Sequence, residues 1–336
     1  SGGTSSEKLF QKLLWVEHVI SRQFDLASPR KPRQMTGMLN HPAARLLIAA
    51  APVLFVLMWA TGFVVARYSA PHASPLAFLS IRFPLAGFLF VVIALALAAP
   101  WPGPRPAFHA AVAGAFLHGG YLGPVYWAVA HGMPAGVSAL IVGLQPLMTA
   151  ILAAHLVGER ISLRHWLGLA TGIAGVALVV WPKLQGSLTG GITPLTVAVN
   201  VAGALSISFG TVYQKRYATA LNLASGGVWQ YVGATLVVLV AALLTEDMRF
   251  DATFEAWFAL AWSVIVLSLG AISLLMLLIR LGDVGRVASL IFLVPGVSAL
   301  MAYGLFGETL SPVQILGMAV CAAAVLIVTR TRVRPA

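Results

Sequence analysis

From residue 42 onward, long apolar stretches alternate with short polar connections. Ten of these stretches reach the roughly 17 to 25 residues with which an α-helix crosses a bilayer. They are predicted at 46–66, 76–98, 108–130, 134–154, 165–181, 193–214, 224–244, 256–279, 284–305 and 312–329. The connections leave no room for a soluble domain between spans. The pattern therefore predicts an all-α integral membrane protein with ten transmembrane helices.

Composition excludes the main soluble classes. Hydrophobic residues make up 59% of the 336 residues and charged residues only 9%, against about 25% charged in ordinary globular domains. The mean hydropathy is +0.90, so lipid is the expected surroundings of the exterior. The single Cys321 excludes an intramolecular disulfide and a cysteine metal cluster.

Residues 1–41 differ from the rest and are predicted to form an N-terminal tail. Within it, 7–20 has the periodicity of an amphipathic interfacial helix. The opening Ser-rich residues resemble an added segment, with Met35 and Met38 as candidate native starts. No apolar core precedes a small-residue cleavage site, so the tail does not resemble a signal peptide.

The distribution of charge indicates orientation and partners. The net charge is +11, but the cations are scattered singly between apolar runs, which argues against nucleic acid as a partner. Lys and Arg concentrate in the connections on the side of the termini, with Arg67, Lys183 and Arg249 on the other side. The positive-inside rule then places both termini in the cytoplasm. The expected partners are the lipid bilayer and a small-molecule substrate, and the oligomeric state is left open, a monomer being compatible with the pattern.

The sequence repeats itself at an offset of 149 residues, aligning 134–179 with 283–328. The matched residues include Pro146 with Pro295, Gly158-Glu159 with Gly307-Glu308, and Arg67-Tyr68 with Arg216-Tyr217. We therefore divide the chain into a first five-helix repeat, 42–182, and a second repeat with a basic C-terminal tail, 183–336. Because five spans are an odd number, the second repeat enters the membrane from the opposite face. Inverted repeats of this kind are typical of alternating-access transporters.

The spans that end in Gly-Glu and precede an apolar span with an early glycine, at 157–168 and 306–317, resemble the EamA family of the drug/metabolite transporter superfamily. The resemblance covers about 42–330 and, within the family, is greatest to YddG-type aromatic amino-acid exporters. It implies export of small metabolites, often amino acids, across the bacterial inner membrane. A proton-coupled multidrug or other metabolite exporter is the alternative, and an intramembrane hydrolase a distant one. Because motifs for zinc, phosphate or a serine nucleophile are missing from the sequence, we expect neither an enzyme nor a metal or cofactor.

Polar and aromatic side chains within the spans are candidates for a substrate site, since polar groups seldom face lipid. The predicted substrate-binding set is Trp59, Arg82, His118, Tyr121, Tyr126, Gln145, Thr149, Asn200, Gln214 and Tyr303, with Trp229, Gln230 and Tyr231 in the wider pool. Each Trp or Tyr has interface anchoring as its alternative role. For Arg82, capture of a substrate carboxylate and snorkelling to the membrane surface are equally open.

Prolines within the spans are predicted to form hinges or gates, with simple kinking as the alternative. They are Pro84, Pro124, Pro146 and Pro295. For Glu159 and Glu308 we favour a structural role at the positive end of the following helix over a coupling role.

The acids indicate how transport is driven. None of the ten Asp and Glu residues lies in the middle of a span, whereas ion-driven carriers usually keep a buried carboxylate. His118 is the remaining titratable candidate, either as a coupling group or as a neutral hydrogen-bonding partner. The sequence favours the second role and predicts facilitated diffusion without an obligatory ion.

Overall fold

The computed structural model describes residues 42–157, 163–184, 191–218, 221–272, 274, 278 and 293–329. The predicted tail 1–41 and the Gly-Glu turn at 158–159 lie outside these residues, as does the first part of the ninth predicted span.

The described residues are almost entirely helical. The helices are α1 Pro42–Ser69, α2 Pro75–Ala96, α3 Pro104–Gly114, α4 Gly120–Ala130, α5 Ala135–Val142, α6 Gln145–Val157, α7 Leu163–Leu184, α8 Pro194–Tyr217, α9 Leu223–Thr245, α10 Phe254–Trp262, α11 Val294–Phe306 and α12 Pro312–Thr329. Two π-helical segments, Ala115–Gly119 and Ser263–Ala271, join α3 to α4 and continue α10. Within the described residues, extended pairing is limited to an isolated bridge between Ala73 and Phe250.

Within the described residues, six helical stretches are long and apolar enough to cross a membrane. They are Ala50–Ser69, Pro75–Ala96, Ala135–Leu152, Pro194–Tyr217, Leu223–Thr245 and Phe254–Ala271. Three shorter apolar helices, Trp166–Leu178, Val294–Phe306 and Pro312–Ala324, fall on the fifth, ninth and tenth predicted spans. The chain is thus a multi-pass, all-helical membrane protein.

Local sequence explains where the helices begin. Proline occupies the first turn of α2, α3, α8 and α11, where its missing N–H costs nothing. Thr193 and Thr196 form a reciprocal capping box at the start of α8. The Asn222 side chain accepts N–H bonds from the first turn of α9, which satisfies donors that the helix leaves free.

The fourth predicted span is not continuous, which corrects the expectation of one helix over 134–154. It breaks into α5 and α6 at Gly143 and Leu144. The physical reason is Pro146, which has no N–H to donate to the preceding turn, together with Gly143 three residues before it, since glycine has a low helix propensity. Pro146 and its repeat partner Pro295 therefore stand in the first turn of a helix rather than in its middle.

The two π-helical segments also follow the repeat. Adding 149 to Ala115–Gly119 gives 264–268, which falls inside the second segment, Ser263–Ala271. Such segments misalign backbone groups and are frequent at functional sites. In the first, the Phe116 carbonyl accepts a bond from the Ser206 hydroxyl at 2.9 Å, so α8 satisfies it.

Helix packing pairs repeat-related elements. The helix α2 packs along α9 and α7 along α12, each pair being related by the offset, and α5 packs on α11. The helix α8 packs on the first π-helical segment and α1 on the second. The largest buried cluster takes side chains from both halves of the chain, including Phe55, Phe78, Phe83, Tyr231 and Val264. Each half therefore buries its apolar faces against the other, around a cavity.

Candidate functional site

A cavity of about 450 Å³ lies between the two halves. From the first half it is lined by Trp59, Phe63, Arg82, Leu117, His118, Tyr121 and Gln145, and from the second by Thr211, Gln214, Gln230, Tyr231, Leu267 and Ser268. Both π-helical segments contribute to this wall. A mostly apolar lining with a few converging polar groups is typical of small-molecule sites.

The cavity holds a buried cation. Arg82 is only 5% exposed; its Nη1 donates to the Tyr126 hydroxyl at 3.0 Å and its Nη2 reaches the Ser268 hydroxyl at 3.4 Å. Its Nε is buried without a partner. Tyr126 is itself fixed by stacking on Phe78, with ring centroids 5.8 Å apart. The guanidinium is therefore held in place by neutral groups, one from each half, and its Nε–H has no partner.

A stacked pair of rings crosses between the halves beside Arg82. The His118 and Tyr231 rings lie nearly parallel, with centroids 4.8 Å apart and 3° between their planes. His118 Nε2 lies 3.3 Å from Gln230 Oε1. Phe83 packs against both rings of the pair. The pair gives the cavity a flat aromatic wall on which a planar group can stack.

A carboxylate links the two halves at one end of the cavity. Glu308, in the connection after α11, pairs with Arg67 at 3.2 Å and accepts the Ala135 N–H at 3.1 Å. Gly307 makes the turn before it with a left-handed φ of 65°, a conformation that glycine adopts without strain. Partial burial raises the pKa of the Glu308 carboxyl, and the bonds from Ala135 and Arg67 oppose that rise.

This geometry changes the role predicted for Glu308. The carboxylate does lie at the positive end of a helix, but the helix is α5, from the other half of the chain, rather than the following helix α12. We call the contact of Glu308 with Arg67 and Ala135 the outer clasp, because the predicted topology puts it on the side away from the cytoplasm. Its repeat counterpart Glu159 lies outside the described residues.

The structure brings together six of the ten predicted substrate-binding residues. They are Trp59, Arg82, His118, Tyr121, Gln145 and Gln214. Tyr126 lies behind the wall and holds Arg82. Tyr303 is 62% exposed on α11 and is absent from the cavity lining, so the structure does not bring it to the other predicted residues. Thr149 is likewise away from the lining, with its hydroxyl buried.

Asn200 serves packing between helices rather than the cavity wall. Its side-chain oxygen accepts the Ser138 hydroxyl at 3.0 Å, and its Nδ2 donates to the Ser138 carbonyl at 3.1 Å. Both residues are fully buried. The predicted polar face of the fourth span is thus directed at α8, because the Gln145 amide also reaches Thr211 there, at 3.5 Å.

The four predicted hinge prolines also lie away from the main cavity. Pro84 is exposed within α2, and Pro124 packs where α4 meets Gly203 of α8. Pro295 lines a second, apolar cavity of about 290 Å³, which it shares with the Gly143 break and with α12. Their action as hinges stays a prediction.

Ser268 is a wall residue that sequence reasoning missed. A single serine in an apolar run gives no signal of its own. The offset of 149 would have located it, because its neighbour Leu267 is the repeat partner of His118. Within the described residues, no group of three or more His, Cys, Asp or Glu side chains is placed to hold a metal ion.

Comparison with known proteins agrees with the helical architecture. The EamA-like transporter family matches twice, at residues 46–181 and 195–330. An uncharacterized inner membrane transporter, YedA of Escherichia coli K12, is 28% identical over 288 residues, covering 85% of this chain and 92% of its own. A probable amino-acid metabolite efflux pump of Salmonella typhimurium is 27% identical over 282 residues, covering 79% of this chain and 89% of its own. A solved crystal structure shares the fold with a TM-score of 0.58 at 18% identity, covering 83% of this chain and 96% of its own.

Proposed function

Because the chain belongs to the EamA-like transporter family, we propose that it exports small metabolites, foremost amino acids with aromatic or apolar side chains, by alternating access. The observation that carries this proposal is the cavity of about 450 Å³, walled by both halves of the chain. A site shared by two halves opens to either side when they rock against each other.

The proposed architecture has ten spans in two inverted repeats, with both termini in the cytoplasm of a bacterium and the spans in its inner membrane. Three features support it. The family matches once in each half, related helices pack as pairs, and Lys and Arg concentrate on one side. In this topology, Glu308 and the connection at 246–253 face outward.

In this topology the described conformation is open toward the cytoplasm. The cavity lining extends to Gln214 and Leu223, which lie at the end of α8 and the start of α9, on the cytoplasmic side. The outer clasp lies at the opposite end. Nearby, the Glu246 carboxylate accepts hydrogen bonds from the Leu76 and Ala77 N–H groups at the start of α2. These bonds link the connection after α9, in the second half, to the first half.

Transport is proposed to be facilitated diffusion. The carboxylates of the described residues lie in connections or the first turn of α10, at Glu246, Asp247, Asp251, Glu255 and Glu308. None of these five lines the cavity. A carrier driven by protons or sodium usually holds the ion on a buried acid, so the wall supports a cycle without one.

Reconstitution tests the proposal. Liposomes with purified protein, clamped at zero membrane potential, are offered labelled phenylalanine, N-acetylphenylalanine and a sugar phosphate. Uptake of at least one of the first two compounds should rise to the external concentration and stop there. An imposed pH or sodium gradient should not change that limit. Transport of the sugar phosphate alone would contradict the substrate class, and gradient-driven accumulation abolished by His118→Ala would make His118 a coupling group.

Two tyrosines form a matched pair for the site. Tyr121→Ala removes an aromatic wall residue and should reduce uptake at least tenfold, because a ring contact and its buried surface are lost. Tyr303→Ala removes an exposed tyrosine of the same size and should leave uptake near that of the parent protein. Equal effects of the two substitutions, at equal protein levels, would show that the cavity is not the transport site.

A further inference from the structure

The cation in the cavity has no partner of opposite charge among the described residues. The two Nη atoms of Arg82 donate to two neutral hydroxyls, and its Nε is buried without a hydrogen bond. The ion pairs of Arg67 with Glu308 and of Arg249 with Asp251 both lie outside the cavity. A guanidinium stays protonated even when it is buried, so the wall carries one positive charge.

Snorkelling does not explain this position. Arg82 lies seven residues after the first residue of α2, which is about 10 Å along the helix. Its side chain is 5% exposed, and its two Nη atoms reach the buried hydroxyls of Tyr126 and Ser268. Of the two roles that the sequence leaves open for Arg82, the geometry supports capture of an anion.

A buried unpaired charge is costly, and the cost falls when an anion arrives. A carboxylate binds a guanidinium through short charge-assisted bonds, and Arg82 is the wall residue that can donate them. A dianion would keep one of its two negative charges desolvated and uncompensated, since a single cation of the cavity wall faces it. A zwitterion would leave the wall with its net positive charge and would need a further acceptor for its ammonium group. Gln230 Oε1, one such acceptor, already faces His118.

We infer that the substrate carries one net negative charge: a monocarboxylate with an aromatic or apolar body, such as an N-acylated amino acid. This inference rests on the proposed function and names the substrate class of the same site. The carboxylate lies on Arg82, and the body lies along the His118–Tyr231 pair and Trp59.

The charge of the substrate gives the carrier a direction without a coupling ion. Each turnover moves one negative charge, so a membrane potential that is negative inside drives the substrate out. One elementary charge across 100 mV corresponds to about 2.3 kcal/mol, which is a concentration ratio of about fifty-fold. Uptake of a zwitterion would not respond to the potential at all.

The test compares two solutes with the same ring. Liposomes with the purified protein receive labelled N-acetylphenylalanine, which is a monoanion, or phenylalanine, which is a zwitterion, at neutral pH. A potassium gradient with valinomycin makes the interior positive by 100 mV. We expect N-acetylphenylalanine to accumulate severalfold to tens of fold above its external concentration, and to be excluded when the potential is reversed.

Three variants locate the effect at the guanidinium. Arg82→Gln should reduce anion uptake at least tenfold, and Arg82→Lys should keep potential-driven accumulation at a lower rate, because the charge remains. Arg105→Gln removes an exposed arginine at the start of α3 and should behave as the parent. If Arg82→Gln fails to fold, the response of the parent and of Arg82→Lys to the potential decides the question.

The outcomes separate the two proposals. Equilibrative uptake of phenylalanine that ignores the potential, with N-acetylphenylalanine rejected, would overturn the anion class and leave the proposed function intact. Full potential-driven uptake by Arg82→Gln would overturn the assignment to Arg82. Failure of both solutes to cross would overturn the proposed function and this inference together.

Discussion

The outer clasp yields a prediction in which two substitutions at one position differ in their effect. Burial raises the pKa of the Glu308 carboxyl despite its bonds to Arg67 and Ala135. Desolvation of the ionised form therefore outweighs the favourable contacts in the closed state. Opening the clasp would hydrate the carboxyl and return its pKa to the ordinary value, 4.5.

The sign of the pH dependence follows from linkage. The closed state, with the raised pKa, binds the proton more tightly than the open state does. Closure is therefore fully supported below pH 4.5, and this support is lost as pH rises through the raised pKa. Glu308→Gln keeps an acceptor for the Ala135 N–H without the charge, so it should favour closure at neutral pH and remove the pH dependence.

Glu308→Ala removes the acceptor as well. Loss of an N-terminal cap costs about 1 kcal/mol, within a range of about 0.5–2. The clasp joins the two halves, so this energy acts on the equilibrium between the closed and open outer side. We expect Glu308→Ala to be open about fivefold more often than Glu308→Gln, since 1 kcal/mol is a factor of about five.

Thiol labelling from outside measures this equilibrium. Ala66→Cys, in a Cys321→Ser background, places a thiol at a buried position next to Arg67. Its labelling rate by an impermeant maleimide is divided by that of Asp251→Cys, an exposed site, at each pH to remove the effect of thiol ionisation. Equal rates in the Gln and Ala variants of Glu308, or a parent rate that falls as pH rises above 4.5, would refute the reasoning.

Two further predictions concern packing. A Cβ on Gly114 would collide with the Gln230 backbone, so Gly114→Ala should lower the melting temperature of the protein in detergent. The control is Gly304→Ala, where a Cβ would have nothing within 4 Å, and it should leave the melting temperature unchanged or raise it. The reverse order would contradict the close approach of α3 and α9. Asn200→Ala should cost about 1–3 kcal/mol of unfolding free energy, because the Ser138 groups that Asn200 bonds are left buried and unsatisfied. The same substitution should leave the preference among substrates unchanged. A changed preference at normal stability would place Asn200 in the substrate site.

The lengths of the apolar stretches and the internal repeat were enough to predict the helical class and most of the helix positions. The break of the fourth span was harder, since apolar periodicity continues through Gly143 and only the combination with Pro146 disrupts the backbone bonds. Tyr303 lies away from the cavity for a related reason. A tyrosine in an apolar run is compatible with a cavity, a lipid face or an interface, and the choice among them depends on how the helix is rotated about its axis.

Contacts between distant segments were beyond pattern reasoning altogether. The sequence places Glu308 just before α12, and a carboxylate there is expected to act on that helix. Its actual partners, Arg67 and Ala135, lie 241 and 173 residues away and meet it only when the two halves pack. The same is true of Arg82, whose Nη2 reaches the Ser268 hydroxyl of the other half.

The repeat distinguishes the architecture that the two halves share from the chemistry that they do not. The π-helical segments, the helix-starting prolines Pro146 and Pro295, and the paired packing of helices recur at the offset of 149, as the proposed alternating access would require of two halves that exchange conformations. The chemistry of the cavity does not recur. The repeat partner of Arg82 is Tyr231, and that of His118 is Leu267. Both polar members therefore lie in the first half, and the aromatic ring of Tyr231 stacks on His118 across the interface. A symmetric pair of arginines would place two unpaired positive charges in one cavity, where the two charges would repel each other. A single arginine suffices to bind a carboxylate, so the asymmetry at this position supports the proposal of a solute with one negative charge.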